Sequence, residues 1–150
     1  MKVLITGGAG YLGSVLVGLL LDKKYKVTVV DNLIYKQQSL TSYCYNKDFT
    51  FIKGDVRRLT SLVNLKDFDI IIPLAAIVGM PACDSNPKLA SDINLEQIVT
   101  IVKNTSKNQQ LIIPNTNSQY GSSEDIITED SPFKPLSHYA KTKCLAEESV

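Results

Sequence analysis

Tyr139 and Lys143 are the side chains best able to move a proton. They lie four apart in Ser137-His-Tyr-Ala-Lys-Thr-Lys143, which puts both on one face of a helix. A phenol with a reference pKa of ~10 is a poor base at neutral pH unless a positive charge favours its anion. A neighbouring ammonium supplies one. Such a tyrosine can take a proton from a carbinol as a hydride leaves. Far upstream lies a second chemical element, Thr6-Gly-Gly-Ala-Gly-Tyr-Leu-Gly13. Gly8, Gly10 and Gly13 fit G-x-G-x-x-G, and Gly7, Gly10 and Gly13 fit G-x-x-G-x-x-G. Such a turn brings bare backbone up to a diphosphate at a helix N-terminus, where free N–H groups and a partial positive charge await it. Asp31, about 20 residues further on, ends a β-branched run, where a carboxylate can accept hydrogen bonds from ribose hydroxyls. It would repel a 2′-phosphate, so NAD is expected rather than NADP. Lys36 reads as a solvated loop lysine.

These residues need a frame, and the chain alternates strands with helices. Strands are expected at 2–6, 26–30, 48–53, 69–72 and 110–113, and helical spacing at 11–22, 87–103 and 137–150. Continuous apolar strands between helices imply a parallel sheet covered on both faces. The expected fold is α/β, a Rossmann-type doubly wound parallel sheet of about five strands in the order 3-2-1-4-5. Pro73 and Pro114 are placed where pairing stops. Residues 35–46 read as a loop or short helix over the adenosine end. The last helical pattern carries no glycine or proline stop, and such folds usually have six or so strands. The sheet therefore reads as incomplete at its C-terminal end.

Composition narrows the classes. The 150 residues carry 16 Lys and Arg against 15 Asp and Glu, a formal charge of +1. That balance argues against a nucleic-acid binder and against a polybasic membrane binder. Residues 3–21 lack charge but hold five glycines, so they read as neither signal peptide nor membrane span. The cysteines are Cys44, Cys83 and Cys144, and His138 is the one histidine. No metal site or disulfide framework is expected from that set, and free thiols point to the cytoplasm.

Six motifs in order make the chain similar to the N-terminal, cofactor-binding half of the extended short-chain dehydrogenase/reductase family. Within it the nearest likeness is the nucleotide-sugar epimerase/dehydratase group, the UDP-glucose 4-epimerase-like proteins. Residues 6–13 resemble its T-G-G-x-G-x-x-G, and Asp31-Asn32-Leu33 its D-N-L. Gly54-Asp55-Val56 resembles its G-D-(V/I), and Leu74-Ala75-Ala76 its L-A-A. Thr116 to Gly121 resembles its S/T-x-x-x-Y-G, and Tyr139 to Lys143 its catalytic pair. The resemblance implies cofactor contacts from Gly7, Gly10, Tyr11, Leu12, Gly13, Asp31 and Asn32. It adds Asp55 and Val56 at the adenine, Leu74, Ala75 and Ala76 along the cofactor, the helix asparagine Asn94, and Tyr139 with Lys143. Thr116 becomes the active-site hydroxyl beside Tyr139 and Lys143, and Ser118 and Asn117 candidates for substrate contact. The substrate class is a nucleotide-diphosphate sugar, and segments 87–103 and 137–150 are candidate faces of a homodimer.

Departures from the pattern sharpen the expectation. Dehydratases of the group place an acid after the hydroxyl, whereas this chain has Thr116-Asn-Ser-Gln119. Epimerase is therefore expected ahead of reductase or dehydratase. Pro114-Asn115 replaces small hydroxyl residues, His138 stands where proline is frequent, and the loop expected over residues 77–84 lacks a basic residue. The group's smaller C-terminal substrate domain has no counterpart in these residues. They read as one truncated NAD-binding domain, and a non-catalytic NAD-binding module is the alternative.

Overall fold

The computed structural model describes residues 1–122 and 126–150. Its strands are β1 (Lys2–Thr6), β2 (Lys26–Asp31), β3 (Phe49–Lys53), β4 (Ile70–Pro73) and β5 (Gln110–Leu111). They form one parallel sheet in the order β3-β2-β1-β4-β5. The helices are α1 (Tyr11–Asp22), α2 (Leu59–Leu62), α3 (Met80–Ser85), α4 (Pro87–Ser91), α5 (Gln97–Asn104) and α6 (His138–Glu148). The expected α/β class and strand order are those observed.

Two compact units divide the chain. The first comprises Met1–Ala75 and Lys103–Ile113, and the second Ala76–Val102 and Pro114–Val150. The first holds the sheet. Val3, Leu4 and Ile5 of β1 are fully buried because neighbouring strands and covering layers hide both faces of a central strand. Their partners in register are Val27, Thr28 and Val29 on one side and Ile70, Ile71 and Ile72 on the other. Pro73 is the last residue of β4, opposite Thr6, where a missing N–H costs the ladder nothing. β5 pairs only through Gln110 and Leu111, shorter than expected.

In the second unit, the expected helix over 87–103 is interrupted. A π-helical turn, Asp92–Glu96, separates α4 from α5. Such a turn admits an extra residue without breaking the apolar spacing by much, which is why the sequence pattern reads through it. α3 was expected as loop. Pro81 sits in its first turn, a position that tolerates the missing N–H, and Gly79 at φ +87° turns the chain into it. Residues 41–43, within the expected loop over 35–46, form one 3₁₀ turn. Among the described residues no helix is long and apolar enough to cross a membrane.

Candidate functional site

In the first unit, the glycine turn links β1 to α1. Gly7 takes φ +69°, and a Cβ there would stand 2.5 Å from the Ala75 nitrogen, so Gly7 lets the turn press on the Leu74–Ala75 backbone. A Cβ on Gly13 would lie 2.6 Å from Gly8 Cα, a contact backbone cannot relieve. Gly10 caps α1 with ordinary angles (φ −72°, ψ −179°), and among the described residues its N-cap makes no side-chain hydrogen bond. The first helical bond runs from Ser14 N to Gly10 O at 2.9 Å. The N–H groups of residues 11–13 thus precede the ladder, as they must for an anion to use them. The side chains of Tyr11 and Leu12 are largely exposed.

Asp31 does more than its strand-end position predicted. One carboxylate oxygen accepts from Ala9 N at 3.0 Å and the other from Leu33 N at 2.8 Å. It ties the glycine turn to the end of β2 and keeps a lone pair on each oxygen for a hydroxyl donor. Asn32 accepts from Ile34 N at 3.0 Å. Asp55 caps a short turn, Val56–Arg58, through Arg57 N at 2.9 Å. The Arg57 guanidinium beside it, 2.5 Å away, holds the Asp55 carboxyl below its usual range. Val56 is buried, and Ala75 N reaches Thr6 Oγ1 at 3.4 Å. A β1–α1 turn kept tight by Gly7 and Gly13, a helix N-terminus with no side-chain cap among the described residues and a strand-end carboxylate with spare lone pairs together fit a dinucleotide's diphosphate and ribose.

In the second unit the structure brings Thr116, Tyr139 and Lys143 together. Ser137 caps α6 by accepting from Ala140 N at 3.1 Å. His138 Nε2 lies 3.0 Å from Pro87 O and 3.1 Å from Ser91 Oγ, pinning the start of α6 to α4. That bond explains the histidine in place of proline. Tyr139 is half-buried. Burial pushes its phenol above the ordinary value, Cys83 pushes it further, and hydrogen bonding to Thr116 pulls it back. Lys143 is only 7% exposed, and its Nζ donates to Pro114 O at 2.6 Å. Burial lowers its pKa, and Glu147 opposes that. The sequence reading gave Lys143 the task of stabilising the phenolate directly. In the structure its ammonium is turned onto a carbonyl, and Thr116 is the group that favours the phenolate.

Thr116 Oγ1 accepts from Ser118 N at 3.2 Å and contacts Ser118 Oγ at 3.2 Å. Asn117 and Ser118 are exposed on the wall of a pocket of about 520 Å³ that Tyr120, Gly121, Ile127, Thr128 and Glu129 complete. Asn94 is buried on the π-helical turn. Its Oδ1 accepts from Ile77 N at 2.8 Å, and its Nδ2 donates to Ile77 O at 3.0 Å and Thr142 Oγ1 at 3.3 Å. Both atoms of the amide are spent on the protein, so Asn94 braces the segment after Ala76 rather than presenting a polar group outward. Two residues to which the sequence reading gave no role also meet here. Asn115 Nδ2 donates to Glu147 Oε2, and Asn115 Oδ1 accepts from Thr116 N at 2.9 Å. The signal for Glu147 was its place four residues after Lys143. Among the described residues no group of three or more His, Cys, Asp or Glu could hold a metal ion.

Comparison with known proteins gives the family. The model of the NAD dependent epimerase/dehydratase family matches residues 3–150. An uncharacterized UDP-glucose epimerase of Bacillus subtilis is 33% identical over 99% of this chain and 50% of its own length. The UDP-glucuronic acid 4-epimerase of Bacillus cereus, solved with UDP-glucuronic acid and NAD, is 30% identical over 99% of this chain and 51% of its own, with a TM-score of 0.84. A dTDP-glucose 4,6-dehydratase of Streptomyces venezuelae, solved with NAD, is 27% identical over 99% and 50%, with a TM-score of 0.88. The chain spans about half the length of the curated relatives it matches.

Proposed function

The chain belongs to the NAD-dependent epimerase/dehydratase family, and on that footing we propose that it is the NAD-binding, proton-handling part of a nucleotide-sugar epimerase. The single observation that carries this reading is the trio in the second unit. Tyr139 is the base, Thr116 the hydroxyl that favours its anion, and Lys143 the cation held one turn away. Bound NAD supplies the hydride acceptor and a positive ring. The N–H groups at the start of α1 and the carboxylate of Asp31 would hold it.

In the free protein Tyr139 stays protonated, because burial outweighs the pull of Thr116. It becomes a base once positive charge is brought near. Tyr139 then takes the hydroxyl proton of the sugar, Thr116 holds the oxygen that becomes a carbonyl, and Tyr139 returns the proton when the sugar is reduced from its other face. Net water loss would call for an acid near the sugar, and residues 116–119 supply none. That favours epimerisation over dehydration.

The half-length match favours a second reading of the isolated chain, a cofactor-binding piece without turnover. Interconversion of nucleotide-diphosphate sugars at catalytic NAD, by the complete gene product and its Tyr139→Phe variant, tests the first reading. Loss of activity in Tyr139→Phe is expected, and equal rates overturn the role of Tyr139. Turnover by the 150-residue chain alone overturns the second reading.

A further inference from the structure

Two rungs fasten the turn after β5 to α6. In one, Lys143 Nζ donates to Pro114 O at 2.6 Å. In the other, Asn115 Nδ2 donates to the Glu147 carboxylate. Lys143 and Glu147 are four residues apart, so the rungs stack along one helix face. They differ in what they demand of the sequence. Any residue at 114 offers a carbonyl, whereas the second rung needs a side chain that donates and accepts at once. The Asn115 amide does both, because its Oδ1 takes the N–H of Thr116 at 2.9 Å. One amide therefore joins the helix of Tyr139 and Lys143 to the peptide of the hydroxyl residue that acts on Tyr139.

The Glu147 carboxylate has a second effect. Burial works against the Lys143 ammonium, and Glu147 works for it. Among the described residues Glu147 is the charged group acting on Lys143. Cys83 of α3 acts on Tyr139, with Thr116, and Glu148 acts with Glu147 on Cys144. Asn115 and Glu147 are both exposed, and an exposed hydrogen-bonded pair adds little to the stability of a fold. What the pair does touch is the Thr116 peptide, through Asn115 Oδ1, and the helix face that carries Lys143.

We propose that Asn115 and Glu147 are positioning residues for proton transfer at Tyr139, their bridge fixing the Thr116 turn against α6 and setting the Glu147 carboxylate one turn from Lys143 on the same helix face. This rests on the epimerase reading for its purpose, but its two physical claims are tested without turnover.

The probes are the Lys143 side-chain resonance in the chain labelled with ¹³Cε-lysine, assigned with Lys143→Met, and hydrogen exchange of the Thr116 amide. In Glu147→Gln, which keeps an acceptor for Asn115 but removes the charge, the Lys143 midpoint falls and Thr116 stays protected. In Asn115→Ala the midpoint holds and Thr116 exchanges faster. A Lys143 midpoint unmoved in Glu147→Gln, or a Thr116 amide unmoved in Asn115→Ala, overturns the inference.

In turnover, Asn115→Ala is expected to lower kcat about tenfold with KM near wild type, the split expected when an interaction specific to the transition state is lost. Glu147→Gln moves the alkaline fall of kcat to lower pH, and Glu147→Asp restores it. Wild-type kcat in Asn115→Ala overturns the positioning role. Absence of any nucleotide-sugar turnover in the wild-type complete gene product overturns the epimerase reading instead, and the two probes still decide the bridge.

Discussion

Substituting Gly10 by alanine separates a cofactor cradle from a merely tight turn. A Cβ built on Gly10 meets one heavy atom within 4 Å among the described residues, Gly7 O at 3.1 Å. The backbone angles there suit any residue. Reduced freedom of the unfolded chain favours alanine by ~0.4–1 kcal/mol, and easing the 3.1 Å contact offsets much of that. Stability should change by less than ~1 kcal/mol, hence the melting temperature by less than ~4 °C. Binding should suffer far more. The methyl group would stand between the diphosphate and the first N–H groups of α1. Losing two charge-assisted hydrogen bonds of ~1.5 kcal/mol each is ~3 kcal/mol, a weakening of more than ~100-fold. The chain has no tryptophan, so bound NADH is read by nicotinamide fluorescence against little background. Gly13→Ala is the contrast. Its Cβ would press on Gly8 Cα, Gly8 O and Gly7 O at 2.6–2.8 Å, so the fold itself should lose ~1–3 kcal/mol. If Gly10→Ala binds NADH as tightly as wild type, the open side of this turn is not where a diphosphate sits.

Three further outcomes follow from the same geometry. Asn94→Ala orphans the Ile77 N–H and leaves Ile77 O the weaker Cys83 thiol donor at 3.3 Å, so the protein should lose ~1–3 kcal/mol in denaturant unfolding; a loss under ~0.5 kcal/mol would mean the brace is dispensable. Burial and Cys83 both raise the Tyr139 phenol, so kcat/KM should climb with pH above neutrality, since the deprotonated form is the active one. A profile already flat at neutrality would refute the assignment. Lys143→Met exchanges a buried cation for an apolar chain of similar length; it should abolish turnover while the melting temperature holds or rises, and a clear fall would make the lysine primarily structural.

The sheet was legible because a central parallel strand must be apolar on both faces, and residues 3–5 and 70–72 are. The phosphate turn was legible because glycine alone satisfies φ +69° at Gly7 and the contact at Gly13. The π-helical turn escaped because one extra residue leaves the apolar positions near helical spacing. Helix α3 escaped because a glycine and a proline at its start look like loop punctuation when no apolar period follows. The double use of the Asn115 amide could not be read at all. Its partners are Thr116, the next residue, and Glu147, 32 positions away, and no local pattern joins such a pair.

Where the chain places its buried polar groups argues for the site independently of any motif. Burying a polar group is costly unless it is bonded, so a fold without other demands keeps its interior apolar. Among the described residues the first unit buries one polar side chain, Thr6. The second buries Asn94, Gln97, Gln119, Thr142 and Lys143. Among the described residues Gln119 Oε1 has no hydrogen-bond partner, and Lys143 carries a charge held by one carbonyl with the Glu147 carboxylate acting in its favour. Those are weak choices for stability, gathered in the stretch that also holds Thr116 and Tyr139. Stability alone would select an apolar chain at 143. The proposed chemistry gives a reason for a lysine there: a cation one turn from a tyrosine can do what an apolar chain cannot, and the side chains of Asn94 and Asn115 bond the backbone at Ile77 and Thr116.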